Sequence, residues 1–363
     1  MRNAVIPAPV RIDHKGGEFA LRSGTTIAYI NIQVAPIVER FCSEVTRRMG
    51  LRVLPITGNP GSNEPSIRVE LTTGDELRVL PAPSGVSPMG DRPCDERYSL
   101  VIDEHRVVVR AAEPVGVARG FSTLIQLLAT TPSTSASEVS VPTTRILDAP
   151  RYAWRGLSLD LARTFFTLDE VRRVIDLLAL YKLNVLHLHL TDDQSWRLPV
   201  GRSAENSKSD GIFYSADDLR GLVAYAGDRF VAVVPEVDTP GHSFALLRVR
   251  PELNTGRNLV ALEIPSGHTH HTAWLDPELP ATFEVIEEVL VGVTAIFPGR
   301  YIHIGGDEPR GMPHDRYTSY VQRVRGLVRS MGKRPLGWQE SARADLGADD
   351  VIQYWLSEVS LPA

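Results

Sequence analysis

The chain is poor in cysteine. Two residues, Cys42 and Cys94, in 363 exclude a disulfide framework and a cysteine-based metal cluster. One bridge between them stays open, and two free thiols are the expected state. No apolar run approaches the roughly 20 residues that a membrane helix needs. The opening MRNAVIPAPV lacks the apolar core of a secretion signal, so the chain is expected to be soluble and cytoplasmic, or exported with a leader lying outside it. Neither sign of charge dominates: 44 acidic residues against 39 basic give a net charge of −5. That balance argues against a nucleic-acid or anionic-membrane partner. No glycine-rich phosphate loop follows a strand, which weakens nucleotide binding. A Gly-x-Ser-x-Gly elbow and a His-Glu-x-x-His helix are both missing, which counts against a serine hydrolase and a helical zinc site. No cofactor is called for.

What is present reads as two regions. The length fits two domains, or one large barrel with an extra unit. Residues 1–150 predict a small α+β domain. Ser66–Leu71 is strand-like, and Tyr98–Ile102 with Arg106–Arg110 reads as a hairpin turning at Asp103-Glu104-His105. Pro36–Met49 and Val115–Ala129 carry helical spacing of apolar residues. Thr130–Ser140, rich in Thr, Ser and Pro, predicts a loop. The boundary is expected near Asp148-Ala149-Pro150.

Residues 151–363 alternate strand and helix. Strands are predicted at Gly156–Leu161, Asn184–Leu190, Val231–Pro235, Tyr301–Ile304, Pro335–Trp338 and Val351–Trp355. Helices are predicted at Leu168–Tyr181 with Thr167 as N-cap, Ser215–Gly227, Pro277–Phe297 and Tyr317–Met331. Repeating βα units with apolar strands argue for a parallel sheet, either a barrel or a doubly wound sheet. Polar residues gather after nearly every strand: Asp160 and Arg163, Thr191-Asp192-Asp193, Glu236 and Asp238, Asp307-Glu308, Trp338 with Glu340, and Tyr354-Trp355. Chemistry converging from many strand ends favours the α/β reading of a (β/α)8-type barrel.

Three segments carry candidate chemistry. His303-Ile304-Gly305-Gly306-Asp307-Glu308-Pro309 sets two carboxylates on a Gly-Gly turn after a strand. Adjacent acids repel when both are ionised, so one is suited to carry a proton; a solvated acidic turn is the plain alternative. In Asn184–Asp193, His187 and His189 share one strand face and offer a metal-ligand pair, while histidines hydrogen-bonded in a core explain the pattern equally well. Asp192, just past that strand, is the better functional candidate. Pro235–Ser243 fixes a loop in which His242 can position a carboxylate. Trp338, Tyr354 and Trp355 suit the apolar face of a sugar ring, although tryptophan at a strand end more often fills a core.

With these motifs quoted, the chain resembles glycoside hydrolase family 20, the β-N-acetylhexosaminidases. The likeness runs from Ile6-Pro7-Ala8-Pro9 through Arg155-Gly156 with Asp160 and Arg163, Lys182–Arg197, Pro235–His242 and His303–Pro309 to Gly337-Trp338-Gln339-Glu340. The resemblance implies hydrolysis, with retention, of terminal β-linked GlcNAc or GalNAc from oligosaccharides or glycoconjugates. It implies that the substrate's own acetamido oxygen is the nucleophile. It assigns Glu308 as general acid and then base, and Asp307 as orienter of the acetamido group. It also assigns Asp192 and His242 as the pair supporting Glu308, Arg155 as the ligand of the ring hydroxyls, and Trp338 and Trp355 as walls of the acetamido pocket. No metal or other cofactor is implied. Residues 151–363 supply about six strands of the barrel, so a C-terminally truncated barrel is expected. A non-catalytic relative that binds amino sugars is the alternative function, and a metal-assisted hydrolase using His187 and His189 is a third.

Overall fold

The structure is a computed structural model that describes residues 5–58, 66–90, 93–130, 137–199, 212–263 and 269–355. Its contacts divide the chain into two units: residues 1–155 with 176–184, and residues 156–175 with 185–363.

The first unit is built on a seven-stranded mixed sheet. Its strands are β1 (Arg11–Arg22), β2 (Thr26–Tyr29), β3 (Leu54–Thr57), β4 (Ser66–Leu71), β5 (Tyr98–Ile102), β6 (Arg106–Ala111) and β7 (Glu138–Asp148). They are ordered β1-β7-β5-β6-β4-β2-β3. The helices Ala35–Met49 and Pro114–Thr130 pack on the sheet and on each other. Phe41 and Phe121 stack between them with ring centroids 4.2 Å apart; burying one such ring contributes about 1.5–3 kcal/mol. The expected helices and the Tyr98–Arg110 hairpin are present. Two features differ from the sequence reading. Of the predicted loop Thr130–Ser140, residues 131–136 lie outside the described residues and Glu138–Ser140 belong to β7. Strand β1 was not foreseen, because its run of exposed polar residues gives almost no period-2 signal.

The second unit contains a six-stranded parallel sheet: β8 (Gly156–Asp160), β9 (Val185–His189), β10 (Ala232–Glu236), β13 (Tyr301–His303), β14 (Arg334–Trp338) and β15 (Val351–Gln353). Each strand pairs with the next in chain order. A doubly wound sheet reverses its order at a switch point; this one never does, as expected of a barrel wall. Helices cross between the strands. Leu168–Leu180 begins in a reciprocal cap, where Thr167 Oγ1 accepts from Glu170 N and Glu170 Oε2 accepts from Thr167 N. Ala216–Gly227 repeats the device with Ser215 and Asp218. Pro280–Ile296 buries Phe283, Ile286, Val289, Leu290 and Val293. A hairpin of β11 (Leu259–Glu263) and β12 (Thr269–Ala273) follows β10 and was not predicted.

One register row crosses this sheet near the carboxyl ends of its strands: Asp160 pairs with His189, His189 with Glu236, and Glu236 with His303. Residues in register on parallel strands share a face. The row therefore gathers four polar side chains on one side of the sheet.

Candidate active site

Glu236 lies at the centre of that row. It is fully buried, and its Oε2 lies 2.8 Å from both His187 Nε2 and His189 Nδ1. Its Oε1 accepts from Trp338 Nε1 at 2.7 Å. Burial opposes the charge, but the imidazoles of His303, His189 and His187 outweigh it and hold the carboxyl well below the usual range. His189 is the counter-charge. Burial works against its protonation, yet Glu236 and Asp192 push it up to about 11. His303 is held low by burial, and its Nδ1 accepts from Gly305 N at 3.0 Å, as a neutral imidazole does.

A second tier of side chains stands beyond the strand ends. Asp192 Oδ2 lies 3.1 Å from His189 Nε2 and is also bonded by Arg163. Its Oδ1 lies 3.3 Å from His242 Nδ1. Although burial opposes ionisation, the His189 and His242 imidazoles and Arg163 hold Asp192 far below the usual carboxylate range. Asp193 faces the same His242 nitrogen at 3.4 Å and anchors the backbone of Phe244 and Ala273 through its Oδ1. His242 Nε2 lies 3.5 Å from Asp307 Oδ2. These acids hold His242 protonated against its burial. Asp238 is the exception among the acids. It is 1% exposed, neither carboxylate oxygen has a hydrogen-bond partner among the described residues, and burial together with the Asp307 charge holds it well above the usual range.

The Asp307–Glu308 turn is built on two glycines with positive φ, 71° at Gly305 and 102° at Gly306. A Cβ on Gly305 would sit 1.8 Å from Asp238 Oδ1, so only glycine fits there. Glu308 itself has φ 37°, a strained conformation of the kind that gathers at functional sites. Arg163 Nη1 donates to Asp160 Oδ2 at 2.9 Å, and its side chain remains 46% exposed, leaving guanidinium donors open to a ligand. Trp338 meets Trp355 edge-on with centroids 6.4 Å apart, and Trp355 Nε1 donates to Glu340 Oε2. Two carboxylates, an imidazolium set among acids, an anchored arginine and paired indoles thus meet at the carboxyl ends of β8–β10 and β13–β15. Such a set handles protons beside a polyol with an apolar face.

His187, Glu236 and His303, and likewise His189, Asp192 and Asp238, bring three potential metal donors within 4.8 Å. His189 bonds both Glu236 and Asp192, and His187 Nε2 lies 2.8 Å from Glu236 Oε2, so the geometry favours the core reading of this histidine pair.

Residues 2–149 match the family model "Glycosyl hydrolase family 20, domain 2", and residues 152–318 match "Glycosyl hydrolase family 20, catalytic domain". The chain belongs to glycosyl hydrolase family 20. It is a glycoside hydrolase of the β-hexosaminidase type. A β-N-acetylhexosaminidase of Cellulomonas fimi is 35% identical over 97% of this chain and 69% of its own length. A β-hexosaminidase of Vibrio furnissii is 30% identical, with 98% of this chain and 60% of that protein covered. Among solved structures, the family 20 β-N-acetylhexosaminidase of Streptomyces coelicolor superposes with TM-score 0.83 at 33% identity, over 98% of this chain and 71% of that one. The Streptomyces plicatus N-acetyl-β-hexosaminidase, in complex with Thio-NAglucal, gives TM-score 0.82 at 32% identity over 97% and 68%.

Within this family fold the structure brings together Asp192, His242, Asp307, Trp338 and Trp355, with Glu308 adjoining. It places two of the expected features differently. Arg155 does not join the group. It precedes β8, about 16 Å of extended chain before Asp160, and its guanidinium is engaged inside the first unit, with Glu96 Oε2 at 2.5 Å and the carbonyls of Lys182 and Tyr152. Arg163 stands past the other end of the strand, paired with Asp160 and Asp192. The Asp192–His242 relay also ends on Asp307, not on Glu308, whose Oε1 accepts instead from Arg310 Nη2 at 3.1 Å. Glu236, Asp193 and Asp238 were seen in the sequence only as strand-end polar residues without roles.

Proposed function

We propose that this chain carries the catalytic centre of an exo-acting, retaining β-N-acetylhexosaminidase that removes terminal β-linked GlcNAc or GalNAc from oligosaccharides or glycoconjugates. The supporting observation is the Asp307–Glu308 pair on its glycine turn, with His242 Nε2 3.5 Å from Asp307 Oδ2 and Trp338 anchored on Glu236. A mutant of the S. plicatus enzyme has been captured in complex with the product GlcNAc. In the proposed reaction the acetamido carbonyl oxygen attacks the anomeric carbon, while Glu308 protonates the departing glycosidic oxygen. The ring so formed is an oxazolinium, and Asp307 holds its N–H and balances its charge. Water, deprotonated by Glu308, then opens that ring at the anomeric carbon and restores the β configuration. A neighbouring amide held in place replaces an enzyme nucleophile, so the protein's task is positioning and charge stabilisation. Arg163 is proposed to grip the sugar hydroxyls, and Trp338 and Trp355 to wall the acetamido group. The parallel sheet is proposed to be six strands of a (β/α)8-type barrel.

The test is release of nitrophenol from 4-nitrophenyl N-acetyl-β-glucosaminide by the wild type and by Glu308→Gln, with a thiazoline mimic of the oxazolinium as inhibitor. Loss of turnover in the variant and inhibition of the wild type are expected. Equal rates in the two proteins refute the role of Glu308.

A further inference from the structure

Past Glu308 the chain opens a cavity of about 260 Å³, lined by Glu308, Arg310, Met312, His314, Tyr317 and Arg343. It falls just below the roughly 300–1,000 Å³ range of ligand pockets, room for a single sugar residue. Its charge is one-sided in a chain whose net charge is −5. Glu308 is its only acid. Arg310 pairs with that acid, and Arg343 meets no carboxylate among the described residues. His314 opens the helix His314–Ser330, at the positive end of its dipole.

The cavity touches Glu308 but none of Asp307, His242 or Trp338. It therefore lies across the acid from the residues assigned to the N-acetyl sugar. On the reading given under Proposed function, on which this step rests, the scissile bond sits at Glu308 with the leaving group on that far side. We propose that this cavity is the leaving-group subsite and that it selects an anionic sugar, one bearing a carboxylate or a sulfate. Arg310 exchanges Glu308 for the anion of the leaving sugar, and Arg343 supplies the second guanidinium. Planar guanidinium groups bind such oxyanions through paired hydrogen bonds. The exchange frees Glu308 to face the glycosidic oxygen, so an anionic leaving group is both bound and used to release the acid.

The experiment compares kcat/KM for GlcNAc β-1,3-linked to glucuronic acid, to glucose 6-sulfate and to glucose, reading released GlcNAc. The wild type is expected to favour at least one anionic substrate by roughly tenfold or more in low salt, with the advantage shrinking at high salt. The ratio is expected to fall near unity in the Arg310→Gln/Arg343→Gln double variant. The carboxylate and sulfate arms show which anion fits. A wild type that turns over all three substrates equally, or a ratio unchanged in the double variant, overturns the subsite while leaving the hexosaminidase reading standing. Absence of turnover on every substrate, the nitrophenyl one included, overturns the hexosaminidase reading instead. In that event saturation-transfer NMR with methyl β-glucuronide and methyl glucose 6-sulfate against methyl β-glucoside still decides the subsite. Binding of an anionic glycoside that is lost in the double variant supports it, and equal signals from all three glycosides reject it.

Discussion

Replacing Glu236 by glutamine removes one negative charge from the middle of the site while keeping its shape. The glutamine carbonyl still accepts from Trp338 Nε1, which now bonds Oε1 at 2.7 Å. What is lost is the counter-charge of a buried imidazolium, with His189 Nδ1 and His187 Nε2 both 2.8 Å from Oε2. Breaking a buried ion pair by removing one partner costs about 3–5 kcal/mol, because the other charge stays behind. For a unit of roughly 200 residues, each kcal/mol moves the midpoint by about 2–4 °C, so a drop of roughly 6–20 °C is expected at pH 6. The pH dependence carries the sharper test. Glu236 has a depressed folded pKa, so its contribution is present above its ordinary value of 4.5 and is lost as pH falls below it. His189 has a raised one, so its contribution is full below 6.5 and is lost as pH climbs toward about 11. The gap between wild type and Glu236→Gln should therefore be widest between about pH 5 and 6.5 and narrow on both sides. Thermal denaturation followed by circular dichroism at pH 3.5, 6 and 9.5 measures it. A midpoint within about 2 °C of wild type at pH 6, or a gap constant across all three, refutes the ionised Glu236–His189 pair.

Arg155→Ala and Arg163→Ala should fail in different ways. The first leaves Glu96 short of a partner in the first unit and costs about 3–5 kcal/mol of stability with KM for the nitrophenyl substrate nearly unchanged. The second raises KM about tenfold or more and lowers the melting temperature less than the first does, because Arg163 is half-exposed and Asp192 keeps His189 and His242 beside it; the reverse pattern would restore Arg155 to the sugar. Asp238→Asn removes an acid whose folded pKa is raised. Such a group contributes most at low pH and loses that contribution as pH rises, so the gain in melting temperature over wild type should grow from pH 4 to pH 8, and a flat difference would contradict a protonated Asp238. Asp307→Asn should lower kcat on the nitrophenyl substrate by roughly a hundredfold or more with a smaller change in KM, and unchanged kcat would remove Asp307 from the reaction.

Much of this was open to a sequence reading, for identifiable reasons. Strands β9 and β10 were legible because buried parallel strands are continuous apolar runs. The helix starts at Thr167 and Ser215 were legible because a capping residue and an acid three places on are a local pattern. The site was legible to the extent that chemistry follows strand ends. What escaped depends on non-local pairing. His187 and His189 could be placed on one face from their spacing. Nothing in their spacing says that Glu236, 47 residues after His189, lands in register with it. Period-2 alternation reports a face, never a neighbour. The β11–β12 hairpin escaped because its strands are short and half-exposed.

The two arginines around β8 show how far a motif can carry an assignment. Both belong to the same run of residues, and the motif alone does not say which one faces the ligand. Strand direction supports Arg163. In a parallel sheet the carboxyl ends of the strands carry the chemistry, and Asp160, His189, Glu236 and His303 mark that edge in a single register row. Arg163 follows Asp160 past the edge and is tied to Asp160 and Asp192. Arg155 enters the strand from its amino end. The same argument places Arg310 and Arg343, which follow β13 and β14 past the carboxyl edge, among the side chains available to a substrate.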